Sequence, residues 1–262
     1  MPEVMTRTLW EGRRALAGFA AGTALVGALY AGFYPQVADG AMGQAVQGFS
    51  PAMREALRME DLTSAAGYLG SSVFGIIVPL VAVIWGVATG ARAIAGEEEA
   101  GHLDLLLAHP VSRTRVVLDR FAALTAGAAL IAAAVWVAML AVRPGADLGD
   151  VGVVEFAAQC LALALLVVVF GTLTLAIGAA TGSRGAALGG GAAAVALTYV
   201  IQALAGQLGA GALRHLSPFH HYIGGEPLRH GFQWDGLATL AGTALVLLAV
   251  AVLSFDRRDL AT

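Results

Sequence analysis

The chain has 262 residues, of which 58% are hydrophobic and 13% charged, and its mean hydropathy is +0.76. An ordinary soluble domain carries about 25% charged residues, so these proportions exclude a soluble globular fold and place the chain among membrane proteins. A net charge of −3 with no clustered basic face excludes nucleic acid as a partner. The single cysteine, Cys160, excludes an internal disulfide and a CxxC-type metal site.

A helix needs about 20 mostly apolar residues to cross the hydrocarbon core. Uncharged runs of that length occur at 15–38, 62–91, 121–142, 156–183, 185–213 and 236–255. Lipid offers backbone groups no hydrogen-bond partners, and none of these runs alternates as a barrel strand would, so each is stable only as a helix. The expected fold class is all-α integral membrane: one transmembrane domain over 1–262, with six spans at about 15–36, 66–91, 121–142, 154–182, 186–207 and 236–255.

The N-terminal segment MPEVMTRTLWEGRRALAG mixes Leu9 and Trp10 with charge, which suits either a short interfacial helix or a solvated tail. The first span is longer than a signal-peptide core and ends in Tyr34-Pro35 without a clear small-residue cleavage site, so it is expected to be retained. After it, residues 39–61 include PAMREALRMEDL, which has the pattern of a short amphipathic helix. In the second span, Pro79 is expected to kink the helix.

Between the second and third spans lies GEEEAGHLDLLLAHPVSRTRVVLDR, residues 96–120, a charged segment flanked by uncharged runs. Glu97, Glu98 and Glu99 are expected to open a helix, where carboxylates interact favourably with the macrodipole. Leu103, Leu106 and Leu107 fall at i, i+3 and i+4 and form a narrow apolar stripe. Pro110 ends that helix, and Ser112 is placed to cap the next, which runs through Arg113 and Arg115 into the third span. A solvated loop has no reason to carry Leu105 to Ala108 (LLLA), so this helix-turn-helix element is expected to dock on a partner, with His102 and His109 as partner contacts.

The fifth apolar run exceeds one crossing, and its end is expected to turn back near Gly209 and Gly211. Beyond it, His220 and His221 lie near His215 and His230, but adjacent histidines do not converge on one helix face and only Glu226 is nearby. Interfacial structure is the expectation there, and no metal site. Small-xxx-small patterns, such as Gly18 to Gly22, Gly178 to Gly182 and Gly185 to Gly189, permit close helix contacts, expected to be mostly internal.

Arginine placement sets the orientation. With the N-terminus in the cytosol, ten arginines (7, 13, 14, 92, 113, 115, 120, 184, 257 and 258) lie inside and five (54, 58, 143, 214 and 229) outside. Both termini and the 96–120 loop are thus expected to be cytosolic, in a multi-pass protein of the cell membrane surrounded by lipid. All 15 basic residues are arginine, so the chain cannot supply the lysine of a Walker A loop. An intramembrane protease is excluded by spans without histidine or a catalytic HExxH, and an ion-coupled carrier is disfavoured because Gln159 and Gln202, not ionisable groups, are the deepest polar residues.

The order G-E-x-E, L-x-L-L-L, P-V-S-R resembles the segment between the second and third helices of ABC-2 type transporter permeases. The closing portion, LSPFHHY, GFQWDGL and FDRRDL, is similar to that family too. The resemblance implies that the 97–115 element is a coupling helix seated in a groove of a separate ATPase subunit. Glu97 and Glu99 match the acidic pair, Leu105 to Leu107 the leucines, and Pro110, Ser112 and Arg113 the turn, with His102 where threonine is common. Glu98, Leu103, Leu106, Leu107 and Arg115 complete the expected partner-binding set. It further implies no catalytic residue and no cofactor in this chain, with ATP and magnesium in the partner, and a second permease copy or paralogue beside it. The implied function is export of a hydrophobic or amphipathic cargo. The alternative is a non-transporting scaffold or assembly factor that uses residues 97–115 to bind a cytosolic partner.

Overall fold

The computed structural model describes residues 3–38, 53, 61–101, 112–204 and 211–258, with side chains from Gly12 onward. Those residues are mostly helical, with no strand among them. Helix α1 is Glu3–Ala31, α2 runs over Ala65–Glu99, α3 is Arg113–Val142, α4 is Val153–Thr181 and α5 is Arg184–Leu204. A 3-10 turn, Gly211–Leu216, and two short helices, α6 (Pro218–Ile223) and α7 (Pro227–His230), lead into α8, Trp234–Arg257. Among the described residues, six helices are long and apolar enough to span a membrane, as the sequence indicates. The N-terminal lead-in is neither a separate interfacial piece nor a tail, because α1 runs unbroken from Glu3. The amphipathic pattern around 39–60 and the turn near Gly209 lie almost wholly outside the described residues.

Helix α4 is the hub. In its apolar window 78% of residues are buried, against 11% in α5 and 22% in α1 and α8. It packs on α2, α8, α3 and α5, while α1 lies along α3 and touches α2. Closeness between α2 and α4 comes from glycine: a Cβ on Gly90 would stand 2.1 Å from the Gly171 carbonyl oxygen, and one on Gly86 would stand 2.9 Å from that of Val167. Where lipid tails are as apolar as the side chains, such backbone approach and its van der Waals contact are what hold helices together.

Pro79 acts through hydrogen bonding. Residues Leu69–Ile77 are a π-helix, and in that register the Val78 N–H donates to the Val73 carbonyl. The next bond in the ladder would come from the residue after Val78, which is proline and has no N–H. The Phe74 carbonyl that this leaves without its ladder donor accepts instead from the buried Tyr222 hydroxyl of α6, at 2.9 Å. A buried carbonyl needs such a partner. The expected proline effect is therefore a π segment with a side-chain repair from a distant helix.

The ends of the bundle are distinct. At the end bearing Gly101 and Ser112, here the loop end, α2, α3, α5 and α8 meet. At the far end, the Tyr34 hydroxyl donates to the Thr63 carbonyl and Tyr68 to that of Tyr30, joining α1 to α2. Arg143 closes the α3–α4 turn on the carbonyls of Val151 (3.0 Å) and Gly149 (2.9 Å). Ser217, which caps α6, donates to the Thr198 carbonyl of α5 at 2.8 Å.

Asp61 clasps the far end: it accepts from Ser64 and Thr63 and pairs with Arg229 of α7. The Ser64 hydrogen bond foremost, then Thr63 and Arg229, hold its carboxyl below the usual value of 3.8, against the opposing push of burial. A lowered native pKa means that the clasp is fully formed above the unfolded pKa and is lost as pH falls through the native one. Purified Asp61→Asn should therefore melt below the native protein at pH 6, and the gap in Tm should begin to narrow as the pH drops below about 4 and close only below the lowered native pKa. A gap independent of pH would show that the carboxylate charge is not what holds the clasp.

Candidate functional site at the loop end

The three glutamates do not open a helix. They form the last turn of α2, and the chain turns off at Gly101, whose φ of +70° suits glycine, with its N–H on the Glu98 carbonyl at 2.9 Å. Carboxylates at a helix C-terminus oppose the macrodipole. Each of them accordingly has a cationic or N–H partner on another element. Glu97 pairs with Arg120 of α3 at 3.5 Å. Glu98 pairs with Arg258, just past α8. Glu99 accepts from the Arg184 backbone N–H, the first residue of α5, at 2.8 Å, a favourable place for a carboxylate.

Ser112 caps α3 as expected, accepting from the Arg115 N–H at 3.3 Å. Arg113 reaches the end of α8, donating to the carbonyls of Phe255 (3.1 Å) and Arg258 (2.6 Å), with its guanidinium 5.6 Å from the Phe255 ring centre. Thr114 adds a bond to Asp256 at 3.2 Å. Arg115 pairs with Asp119 one turn on, at 3.1 Å, and is half exposed. His102, Leu103, Leu106, Leu107 and Pro110 lie outside the described residues.

Beneath these polar contacts sits a small hydrophobic cluster separate from the main core: Ala93, Ile94, Val117, Leu175, Ala176, Ala179, Ala251 and Phe255. Arg258 ties it down. Besides Glu98, its guanidinium donates to the Ala179 carbonyl at 3.1 Å and approaches that of Gly178 at 3.4 Å, so a cation serves the C-terminus of α4. Helix α4 stops there at Gly182, φ +67°, where a Cβ would also meet the Arg258 guanidinium at 2.9 Å.

Of the expected set, the structure brings together Glu97, Glu98, Glu99, Ser112 and Arg113. It adds Arg120, Arg184 and Arg258, which had counted only toward orientation. The charge at the end of FDRRDL was the one available signal for Arg258. The result is a platform in which the glutamates before residue 102 are bonded to α3, α5 and Arg258, and Arg113 after residue 111 to the end of α8.

The partners of Arg258 rank its variants. Arg258→Ala loses the ion pair and the carbonyl bonds and should cost about 1.5 to 3 kcal/mol, whereas Glu98→Gln keeps the carbonyl bonds and should cost about 1 kcal/mol or less. Thermal melts of the purified variants check the order, and equal shifts would mean that the α4 contact contributes nothing.

A search of curated proteins finds no match to the chain. The model of the family described as "ABC-2 family transporter protein" matches residues 14–260, which take in all but about the first three turns of α1 and every other helix. With six apolar helices and a match over nearly its whole length, the chain belongs to the ABC-2 family of transporter proteins and is a multi-pass membrane permease.

Proposed function

We propose that this chain is the permease half of an ATP-driven exporter, working with a separate ATPase subunit that binds ATP and magnesium. The observation that supports it best is the platform: Glu97, Glu98, Glu99, Ser112 and Arg113 anchor both ends of the 102–111 loop to helices that start or finish there. A loop so anchored passes movement of a docked ATPase into the bundle, with Leu103, Leu106 and Leu107 as the docking side chains and His102, Pro110 and Arg115 shaping the element. The loop end and both termini are cytosolic in this reading, and the membrane is the plasma membrane. Spans with few charges suit a hydrophobic or amphipathic cargo moving outward.

Two permeases, identical or paralogous, pair around the cargo path. In support, the small-residue patterns divide in the structure. A Cβ on Gly178 would stand 3.3 Å from the Ala95 Cβ, an internal contact, whereas one on Gly18, Gly22 or Gly189 would meet nothing within 4 Å.

The test is co-expression with a Walker-type ATPase from the same operon, followed by reconstitution in vesicles. The reading requires a complex of two permeases and two ATPases whose ATP turnover rises with particular amphipathic compounds. For orientation, Cys160 is replaced and single cysteines are introduced at exposed Ser112 and Gly149. Position 149 should react with an impermeant reagent on intact cells and position 112 should not. A permease that binds its partner without stimulating ATP turnover or moving cargo would instead be a scaffold.

A further inference from the structure

The far end encloses a cavity of about 490 Å³ between the π segment of α2, the outer part of α4, the end of α5 and the short helices α6 and α7. That is within the usual range for a small-molecule site. In its wall stands Gln159 of α4, which is fully buried and whose amide oxygen and nitrogen both lack a hydrogen-bond partner. The Tyr222 hydroxyl stands beside it as a weak acceptor for the amide nitrogen, beyond ordinary hydrogen-bond geometry, and gives its own proton to the Phe74 carbonyl, so the amide oxygen is left without a donor. Gln202 of α5, in the same wall, has a buried amide oxygen that also lacks a partner.

Native proteins seldom leave a buried amide unsatisfied, and one that borders open volume is a place where a polar group from outside is received. The other features restrict what that group is. Asp61 and Glu226 share the lining with Arg229, which pairs with both, and with Arg214, so the formal charges of the wall sum to zero. The two glutamines offer donors and acceptors without charge. Phe219, Ile223, Leu228 and Ile76 supply apolar wall.

We propose that this cavity binds the uncharged, hydroxyl- or amide-bearing end of an amphipathic molecule, with Gln159 and Gln202 as its hydrogen-bonding anchors. The site lies within one permease and at the opposite end from the platform, so it does not depend on how or whether an ATPase docks.

The test uses the full chain in nanodiscs and two neutral sugar amphiphiles: radiolabelled octyl glucoside added from water, and a monoglucosyl diacylglycerol built into the disc and detected by native mass spectrometry. Saturable binding of one molecule per chain is expected, and the arm that shows it identifies a water-borne or a lipid source. Octyltrimethylammonium, of equal chain length but charged, should compete at least tenfold less well. Gln159→Leu should weaken binding tenfold or more while leaving the melting temperature unchanged or higher, because it removes an unsatisfied amide. Gly70→Leu is a second variant: Gly70 lines the cavity with nothing within 4 Å of its Cβ position, so the new side chain takes up ligand space. It should block binding in a folded protein. Absence of saturable binding in both arms, which is the result for a cavity holding only water, overturns the proposal. So does undiminished binding by both variants, or equal competition by the cationic amphiphile.

Discussion

Gly90→Val is expected to give no folded permease. Its new Cβ would fall 2.1 Å from the Gly171 carbonyl oxygen, 3.0 Å from the carbonyl carbon and 3.1 Å from the Leu175 nitrogen, all backbone atoms of α4 that no side-chain rotation can move. Extra methylenes in a packed core cost about 1 to 3 kcal/mol when side chains can adjust. Here the two hub helices must separate, and with them goes the packing that buries Val167, Leu166 and Phe170. Loss above 3 kcal/mol is a large fraction of the stability of a typical domain. Gly189→Val, at a position open to its surroundings, is the control, and it should insert and melt like the native chain when the permease is a monomer. Size-exclusion profiles and melts in detergent distinguish the two. A monodisperse Gly90→Val of native Tm would mean that α2 and α4 are not in this contact.

The same pair shows what sequence can and cannot convey about a helical membrane protein. Six spans were legible because each is a statement about length and charge, and each corresponds to an observed helix within a few residues, apart from the extension of α1 back to Glu3 and the polar extensions of α2 to Glu99 and of α3 back to Arg113. The extensions of α2 and α3 carry ion pairs, and a hydropathy rule ends before them. Internal packing was not legible. Gly86 and Gly90 have the same spacing as Gly18 and Gly22, yet the first pair meets another helix and the second meets nothing, and only the three-dimensional arrangement separates them.

At the loop end, the residue types were legible and their roles were not. A run of glutamates before an apolar segment reads as a helix start by dipole preference, yet Glu97, Glu98 and Glu99 end α2. The dipole effect is about 0.3 to 1 kcal/mol on an exposed surface. Partners from α3, α5 and α8 outweigh it, and all of them lie far away in sequence: Arg120, the Arg184 N–H and Arg258. Pro79 was legible as a disturbance, but the hydroxyl that answers it belongs to Tyr222.

The second large effect separates docking from transmission. Leu106 and Leu107, if buried in an ATPase groove, each contribute about 1.5 to 3 kcal/mol of transfer free energy. Replacing both with Asp should remove about 3 to 6 kcal/mol, or about 10² to 10⁴ in affinity, and co-purification of the ATPase should cease while the six spans still insert. Glu97 behaves differently because its carboxylate pairs with Arg120 within the permease, where side-chain exposures of 25% and 11% shield it from water. Glu97→Gln leaves the docking leucines in place and loosens one anchor of the loop. The complex should assemble, and transport per ATP hydrolysed should fall, because movement of the docked subunit is taken up by slack between α2 and α3 before it reaches the bundle. Restoring the pair in reverse, with Glu97→Arg and Arg120→Glu together, should recover part of the transport that either single change loses. Normal co-purification of the Leu106→Asp, Leu107→Asp variant would overturn docking through the loop. A Glu97→Gln exporter with native stoichiometry would leave docking standing and remove the platform from the path of force.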